Sequence, residues 1–571
     1  MTCWGRHGLT FAALLLIVLL AGCGGGKGQG SERTLRLLTS SDVDFLDPGR
    51  TYYAQGWQVA YATQRTLYGY APGDLRDARP DLATGPPRVS ADGRTIVVRI
   101  RRGVRFSPPV DREVTSRDVA YAMERAFSAN VGGPYTTYFA DLAGAPARPT
   151  AGVRPIAGIS TPDATTLVFR LRRPTAAAFV AALVMPITAP VPPEYARPFD
   201  AATPSTYNTH VVATGPYMVR NDARGDTVGY RPGSSIALVR NPSWDRATDR
   251  RPARLDAIDI QTNATDQTIA ARQVLAGSHL ILQADPPASV LARLVRSHSR
   301  QYTQVTAAGF RWVPINTTIA PFDRVDVRRA VLAAFDREAA RRARGGPITG
   351  PLATHFLPPG TPGFEDAGGL AGPGLDFLSP ERPRGDLALA RRYLQRAGYP
   401  SGRYTGTQSF LMVGLSSEPD RTQAEVVKEQ FEKLGFHIRL RLLADDVAIV
   451  DWCQVPARRV AVCAGLQWSA DFADPQPLLE PVFSGAAIQA QGNPNLAQLR
   501  DPSLDGAMRR AALLTGEARL RAWGAIDREV TALAPGIPFV WDRSTLIRSR
   551  DVRGVANAYF HGWDLAYSDV R

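Results

Sequence analysis

Ser90-Ala91-Asp92-Gly93-Arg94-Thr95 runs directly into Ile96-Val97-Val98-Arg99-Ile100-Arg101, which continues as Arg102-Gly103-Val104-Arg105-Phe106. Asp-Gly is a turn signal, because glycine supplies the backbone freedom a tight turn needs. Beyond it Ile96, Val98 and Ile100 share one face while Val97, Arg99 and Arg101 share the other, the period-two pattern of a half-buried strand. The alternation returns in residues 165–172 through Leu167, Phe169 and Leu171. It returns again where Ile438, Leu440 and Leu442 alternate with Arg439 and Arg441. All three stretches read as sheet edges or outer faces.

Helices are marked by their ends. Thr115 with Asp118 forms a capping-box start for the run through Val119, Ala122, Met123 and Ala126. Gly398 closes a helix over 386–397 and Gly435 closes one over 422–434, each suited to the left-handed residue that follows a helix. Proline- and glycine-rich residues 143–155 and 345–374 read as surface loops. Strands and helices interleave with no clear internal repeat, which predicts a mixed α/β architecture.

At 571 residues the chain is long enough for several domains. Its 44% hydrophobic and 21% charged residues exclude a disordered or fibrous class. A formal charge of +14 raises nucleic-acid binding, but arginine is scattered along the chain and lysine occurs only at Lys27, Lys428 and Lys433. No clustered basic stripe or reading motif is present, so no nucleic-acid partner is expected. The excess implies at most attraction to anionic lipid or cell wall, screened over about 8–10 Å.

Arg6 and His7 precede an uncharged run over 9–21 that is short for a bilayer span and reads as a signal peptide. The run ends in Leu20-Ala21-Gly22-Cys23, which resembles the lipobox of bacterial lipoproteins. That resemblance implies cleavage after residue 22, a diacylglyceryl group on Cys23 and residence on the extracytoplasmic face of the cell membrane. Two acyl chains give stable attachment at about 0.8 kcal/mol per buried methylene. Residues 23–33 then form the lipidated cysteine and a flexible tether, whose Gly/Ser/Gln-rich part over 24–31 has a reach of roughly 15 Å. In such an oxidising compartment Cys453 and Cys463 are the two cysteines left in the mature body. They are expected to pair, the alternative being two buried thiols. No metal site and no cofactor are expected, since no histidine or further cysteine sits at ligand spacing nearby.

A longer series of segments resembles one family. In order these are Leu46-Asp47-Pro48, Arg79-Pro80-Asp81-Leu82-Ala83, the block over 90–106, Arg117-Asp118-Val119-Ala120-Tyr121-Ala122, Thr214-Gly215-Pro216-Tyr217 and Val239-Arg240-Asn241-Pro242-Ser243-Trp244. Asn316-Thr317, Pro321-Phe322, Val327-Arg328-Arg329-Ala330 and Trp468-Ser469-Ala470-Asp471-Phe472-Ala473-Asp474-Pro475 complete it. Their shared order is similar to that of the peptide-binding (oligopeptide/dipeptide, family 5) extracellular solute-binding proteins of ABC importers. The resemblance implies a two-lobed periplasmic-binding-protein-like fold with an additional smaller domain. Domain I would be discontinuous, over 34–67, 207–270 and 536–571, with domain II over 68–206 and domain III over 271–535. Two departures bear on the ligand: Ser107-Pro108-Pro109 replaces the family's usual Asp-Gly hairpin, and Gln467 stands where the family often has glycine.

By the same resemblance a peptide or similar extended solute lies between the lobes and is handed to the permease subunits of an ABC transporter by a monomeric receptor. Asp471 would meet the ligand ammonium and Trp468 would wall the cleft, while Tyr52, Tyr53 and Trp57 would flank the solute; Asp474 is assigned to a turn. The competing reading of each is a turn cap or ordinary packing. Two rival functions are an extracytoplasmic lipoprotein hydrolase and a surface sensor not coupled to transport. Against the first, the chain carries no Gly-x-Ser-x-Gly elbow, His-Glu-x-x-His helix or Walker-type loop, so no catalytic residue and no enzyme activity are expected.

Overall fold

The computed structural model describes residues 33–297 and 300–571; the apolar N-terminal run, Cys23 and the tether lie outside the described residues. Thr34–Thr39 forms the centre of the largest sheet, pairing in parallel with Ala257–Gln261 on one side and Leu280–Gln283 on the other. Leu35 and Leu37, both fully buried, fix its register by facing a core with Ile258, Ile260 and Ile281. Across the sheet the order is Tyr302–Thr306, Arg543–Arg548, Leu280–Gln283, Thr34–Thr39, Ala257–Gln261, Ser235–Arg240 and Tyr217–Val219, with Tyr230–Arg231 also on Ser235–Arg240. The sheet therefore runs across the boundary that the family resemblance draws at residue 271.

The opening block of sequence folds as Thr95–Arg99 inside a four-stranded sheet, between Arg88–Val89 and Thr166–Arg170, with Ile159–Asp163 at the far edge. Ile96, Val98 and Ile100 are buried and Arg99 is exposed, as the alternation predicts. Thr95–Arg99 and Thr166–Arg170 are inner strands with one open face. His437–Leu443 is a true edge, in a parallel sheet with Ser409–Leu415 and Val462–Cys463.

A fourth sheet, Leu466–Ser469, Gly309–Pro314 and Gly536–Val540, connects to the first through two neighbouring crossings. Tyr302–Thr306 continues into Gly309–Pro314, and Gly536–Val540 continues into Arg543–Arg548. The Ala307 N–H donates to the Asp542 carbonyl at 3.0 Å and ties the crossings together.

The expected helix ends are present: Gly398 and Gly435, at φ +88° and +95°, follow Leu387–Arg396 and Asp420–Glu432 as left-handed residues. Ser116–Ala126 begins with a complete capping box between Thr115 and Asp118. Leu387–Arg396 is capped by Asp386, whose side chain accepts from the Leu389 N–H, and Asp420–Glu432 starts two residues before its expected onset. One expectation is corrected. Residues 345–374 are not simply a surface loop, because Ala353, Phe356, Leu357 and Ala367 are fully buried in a core with Trp523 and Trp541. Asp527, itself buried, makes this tolerable: its carboxylate accepts from the N–H groups of Phe356 and Leu357 at 3.1 and 3.0 Å and meets His355 Nδ1 at 2.7 Å. Cys453 and Cys463 are joined by a disulfide that closes the loop ahead of Leu466–Ser469.

Candidate functional site

Asp471 follows the edge strand Leu466–Ser469 and is buried. Its backbone carbonyl accepts from the Tyr559 hydroxyl at 2.5 Å, and Oδ2 accepts from the Tyr138 hydroxyl at 2.5 Å. No cation pairs with it among the described residues. Burial consequently pushes its carboxyl up to about 7, against the hydrogen bond from Tyr138 that lowers it. The neighbouring Asp474 has the opposite circumstance: Arg519 grips its two oxygens at 2.9 and 2.8 Å, and its Oδ1 accepts from the Gln476 N–H at 2.8 Å. It anchors the turn into Gln476–Phe483, the role expected of it, and adds a buried ion pair that sequence spacing did not reveal.

Around Asp471 stands an aromatic wall. Tyr138 meets Phe472 edge-on at 5.0 Å. Tyr559 contacts Trp57 at 5.0 Å, Tyr61 at 5.5 Å and Tyr70 at 4.8 Å. Tyr135 links Tyr52, 5.6 Å away, to Trp57, whose Nε1–H donates to the Tyr135 hydroxyl at 2.6 Å. The phenols of Tyr52, Tyr135, Tyr138 and Tyr559 are all pushed well above their ordinary value, first by burial and then in part by the charge of Asp471.

The structure thus brings Asp471, Tyr52 and Trp57 into one region. Tyr52 is partly open at 36% exposure, whereas Trp57 is buried behind it. Tyr53 lies outside the wall: it is exposed, precedes the helix Ala54–Thr63 without a side-chain capping bond, and has Asp44 and Asp446 as its charged neighbours. Trp468 donates its Nε1–H to the Pro477 carbonyl at 2.9 Å and packs on the core that holds Phe310 and Phe483. Gln467 is exposed on the edge strand.

Sequence reading missed Tyr70, Tyr135, Tyr138 and Tyr559. The available signal was the aromatic density of Tyr135, Tyr138 and Phe139 in the short 3-10 helix Pro134–Phe139, and of Tyr559 and Phe560 in a turn. No group of three or more histidine, cysteine or acidic side chains poised for a metal ion occurs among the described residues.

A two-lobed α/β binding architecture is the class defined by these sheets and crossings. The model of bacterial extracellular solute-binding proteins, family 5, matches residues 77–490, and the chain belongs to that family. Heme-binding protein A of Haemophilus influenzae is 25% identical over 91% of this chain and 88% of its own length. Di/tripeptide-binding protein 2 of Pseudomonas aeruginosa is 24% identical over 88% of each chain. Among solved structures, clavulanic acid biosynthesis oligopeptide binding protein 2 superposes with a TM-score of 0.77 at 31% identity, covering 94% of this chain and 96% of that one. The family is one of binding proteins rather than enzymes.

Proposed function

We propose that the chain captures a peptide, or a similarly extended solute with a free ammonium group, and delivers it to the permease of an ABC importer while held at the membrane through a lipid on Cys23. The observation that carries this reading is Asp471, a buried carboxyl without a counter-charge among the described residues, walled by tyrosines and a tryptophan. Leaving such a carboxylate unpaired is costly, and a ligand ammonium relieves the cost with a charge-assisted hydrogen bond worth about 1.5–3 kcal/mol. Aromatic faces flanking the same position attract a cation further. The peptide-binding relatives support this choice of solute.

Under this reading Asp471 meets the ammonium, Tyr52 and Trp57 flank it, and Tyr53 and Trp468 contribute at the margins of the cleft. The free edge of Leu466–Ser469 suits pairing with an extended backbone. Domain II, over 68–206, would supply Tyr135 and Tyr138 from across the cleft.

The test is the melting temperature of the protein lacking residues 1–22 and carrying Cys23→Ser, against di- to octapeptides, sugars, metal chelates and hemin, for wild type and Asp471→Ala. Peptide at 100 times its dissociation constant adds about 2.7 kcal/mol of stability to the wild type. The Asp471→Ala protein is expected to show no such shift. A shift with hemin or sugars alone would remove the peptide assignment.

A further inference from the structure

Among the described side chains with a shielded polar atom and no partner, His561 stands apart because both of its ring nitrogens are so placed. Its Nδ1 and Nε2 are both shielded from solvent, and neither has a hydrogen-bond partner among the described residues. Buried polar atoms without partners cost free energy, so each calls for a cause. The backbone adds a second cost, since His561 sits at φ +53°, a left-handed conformation that an ordinary residue keeps only when its surroundings hold it there.

Those surroundings are well built. The His561 carbonyl accepts from Gln283 Nε2 at 3.4 Å, while Gln283 Oε1 accepts from Gln58 Nε2 at 3.2 Å and from the Trp563 N–H at 3.1 Å. Two residues earlier Tyr559 belongs to the wall around Asp471 and bonds to its carbonyl. The charge of Asp285 also acts on the imidazole, and Asp285 is itself 3.0 Å from Arg344 and 3.7 Å from Arg311 beside the crossing strands. His561 therefore stands where the aromatic wall meets the ionic cluster at the crossings.

We propose that His561 is a specificity-determining contact, whose imidazole receives a neutral amide or hydroxyl group of the bound solute, one nitrogen donating and the other accepting. This rests on the solute-binding reading above and adds a second polar position to Asp471. Burial pushes the imidazole down to about 4, so it is neutral at ordinary pH and offers one N–H and one lone pair. A backbone amide offers the matching N–H and C=O. An anionic group fits poorly, because Asp285 lies nearby, and the absence of any metal-binding group of acidic, cysteine and histidine side chains among the described residues disfavours a metal.

The experiment titrates di-, tri- and tetra-alanine into wild type, His561→Phe, His561→Gly and His561→Gln, with Asp471→Ala in parallel. His561→Phe keeps a ring without nitrogens, His561→Gly accepts the left-handed backbone without strain, and His561→Gln keeps one donor and one acceptor at similar reach. His561→Phe and His561→Gly are each expected to weaken the peptides about tenfold, and His561→Gln to stay within about threefold of wild type. Ligand-free melting of His561→Gly is expected not to fall. If His561→Phe fails to fold, His561→Gly carries the affinity readout alone.

Unchanged affinity in both, with a lowered ligand-free melt, overturns the proposal and makes the imidazole a structural group bonded through a buried water. Retained binding by Asp471→Ala overturns the ammonium assignment and leaves the His561 comparison readable. A wild type that takes none of the peptides overturns both.

Discussion

A carboxyl held near neutrality makes Asp471 a pH-dependent residue in two opposite ways. In the unfolded chain it titrates at the ordinary carboxylate value, while in the native protein burial lifts it to about 7. Between roughly pH 4 and pH 7 the native state thus holds a proton that the unfolded state has released. This contribution to ligand-free stability is present below the unfolded value and is lost as pH rises through the native one. Comparing wild type with Asp471→Asn by chemical denaturation at pH 5 and pH 8 isolates it: the wild type is expected to lose a few kcal/mol relative to the variant on going to pH 8. Equal pH profiles would show that the site is not desolvated. Ligand affinity runs the other way, because an ammonium needs the ionised carboxylate. Affinity is expected to fall about tenfold per pH unit below pH 7. The sequence singled out Asp471 through its block of neighbours. It did not single out Tyr138, because 333 residues separate the two and no local pattern encodes such a pairing.

Elements whose cause is local were read well, and those with a distant cause were not. The alternation in Thr95–Arg99 and the box around Ser116–Ala126 depend on residues within one turn or one strand. The buried course of 353–357 depends on Asp527, on a helix 170 or more residues away, which satisfies two backbone N–H groups and His355 at once. Its glycines and prolines carry the composition of a loop while its hydrophobic side chains fill a core. Asp527→Ala is expected to cost 3 kcal/mol or more in urea unfolding, since it strands several buried donors. A cost below about 1 kcal/mol would mean that water reaches the segment. The Cys453–Cys463 bridge closes a short loop, and Cys453→Ser with Cys463→Ser together are expected to lower stability by about 2–3 kcal/mol. Unchanged unfolding under reducing conditions would contradict that contribution.

Over the whole molecule, a chain of net charge +14 places within its aromatic wall an acid that has no cation partner among the described residues. Total charge therefore says little about the partner, and the local excess at the site decides it. Tyr135 and Tyr138 reach the site from one part of the chain, Asp471 and Phe472 from a second, and Trp57 with Tyr559 from a third. A ligand that touches all of them favours the closed arrangement, because the open one lacks those contacts. The two-lobed outline followed from the order of the segments. The membership of the wall came only from three-dimensional packing, since it joins residues from several parts of the chain. The most direct measurement is calorimetric titration of one bound peptide and its N-acetylated twin into wild type and Asp471→Asn. The account predicts tight binding of the free-amino peptide to wild type alone, with the acetylated peptide and the variant each weaker by at least about tenfold. Equal affinity for the two peptides in wild type would contradict it.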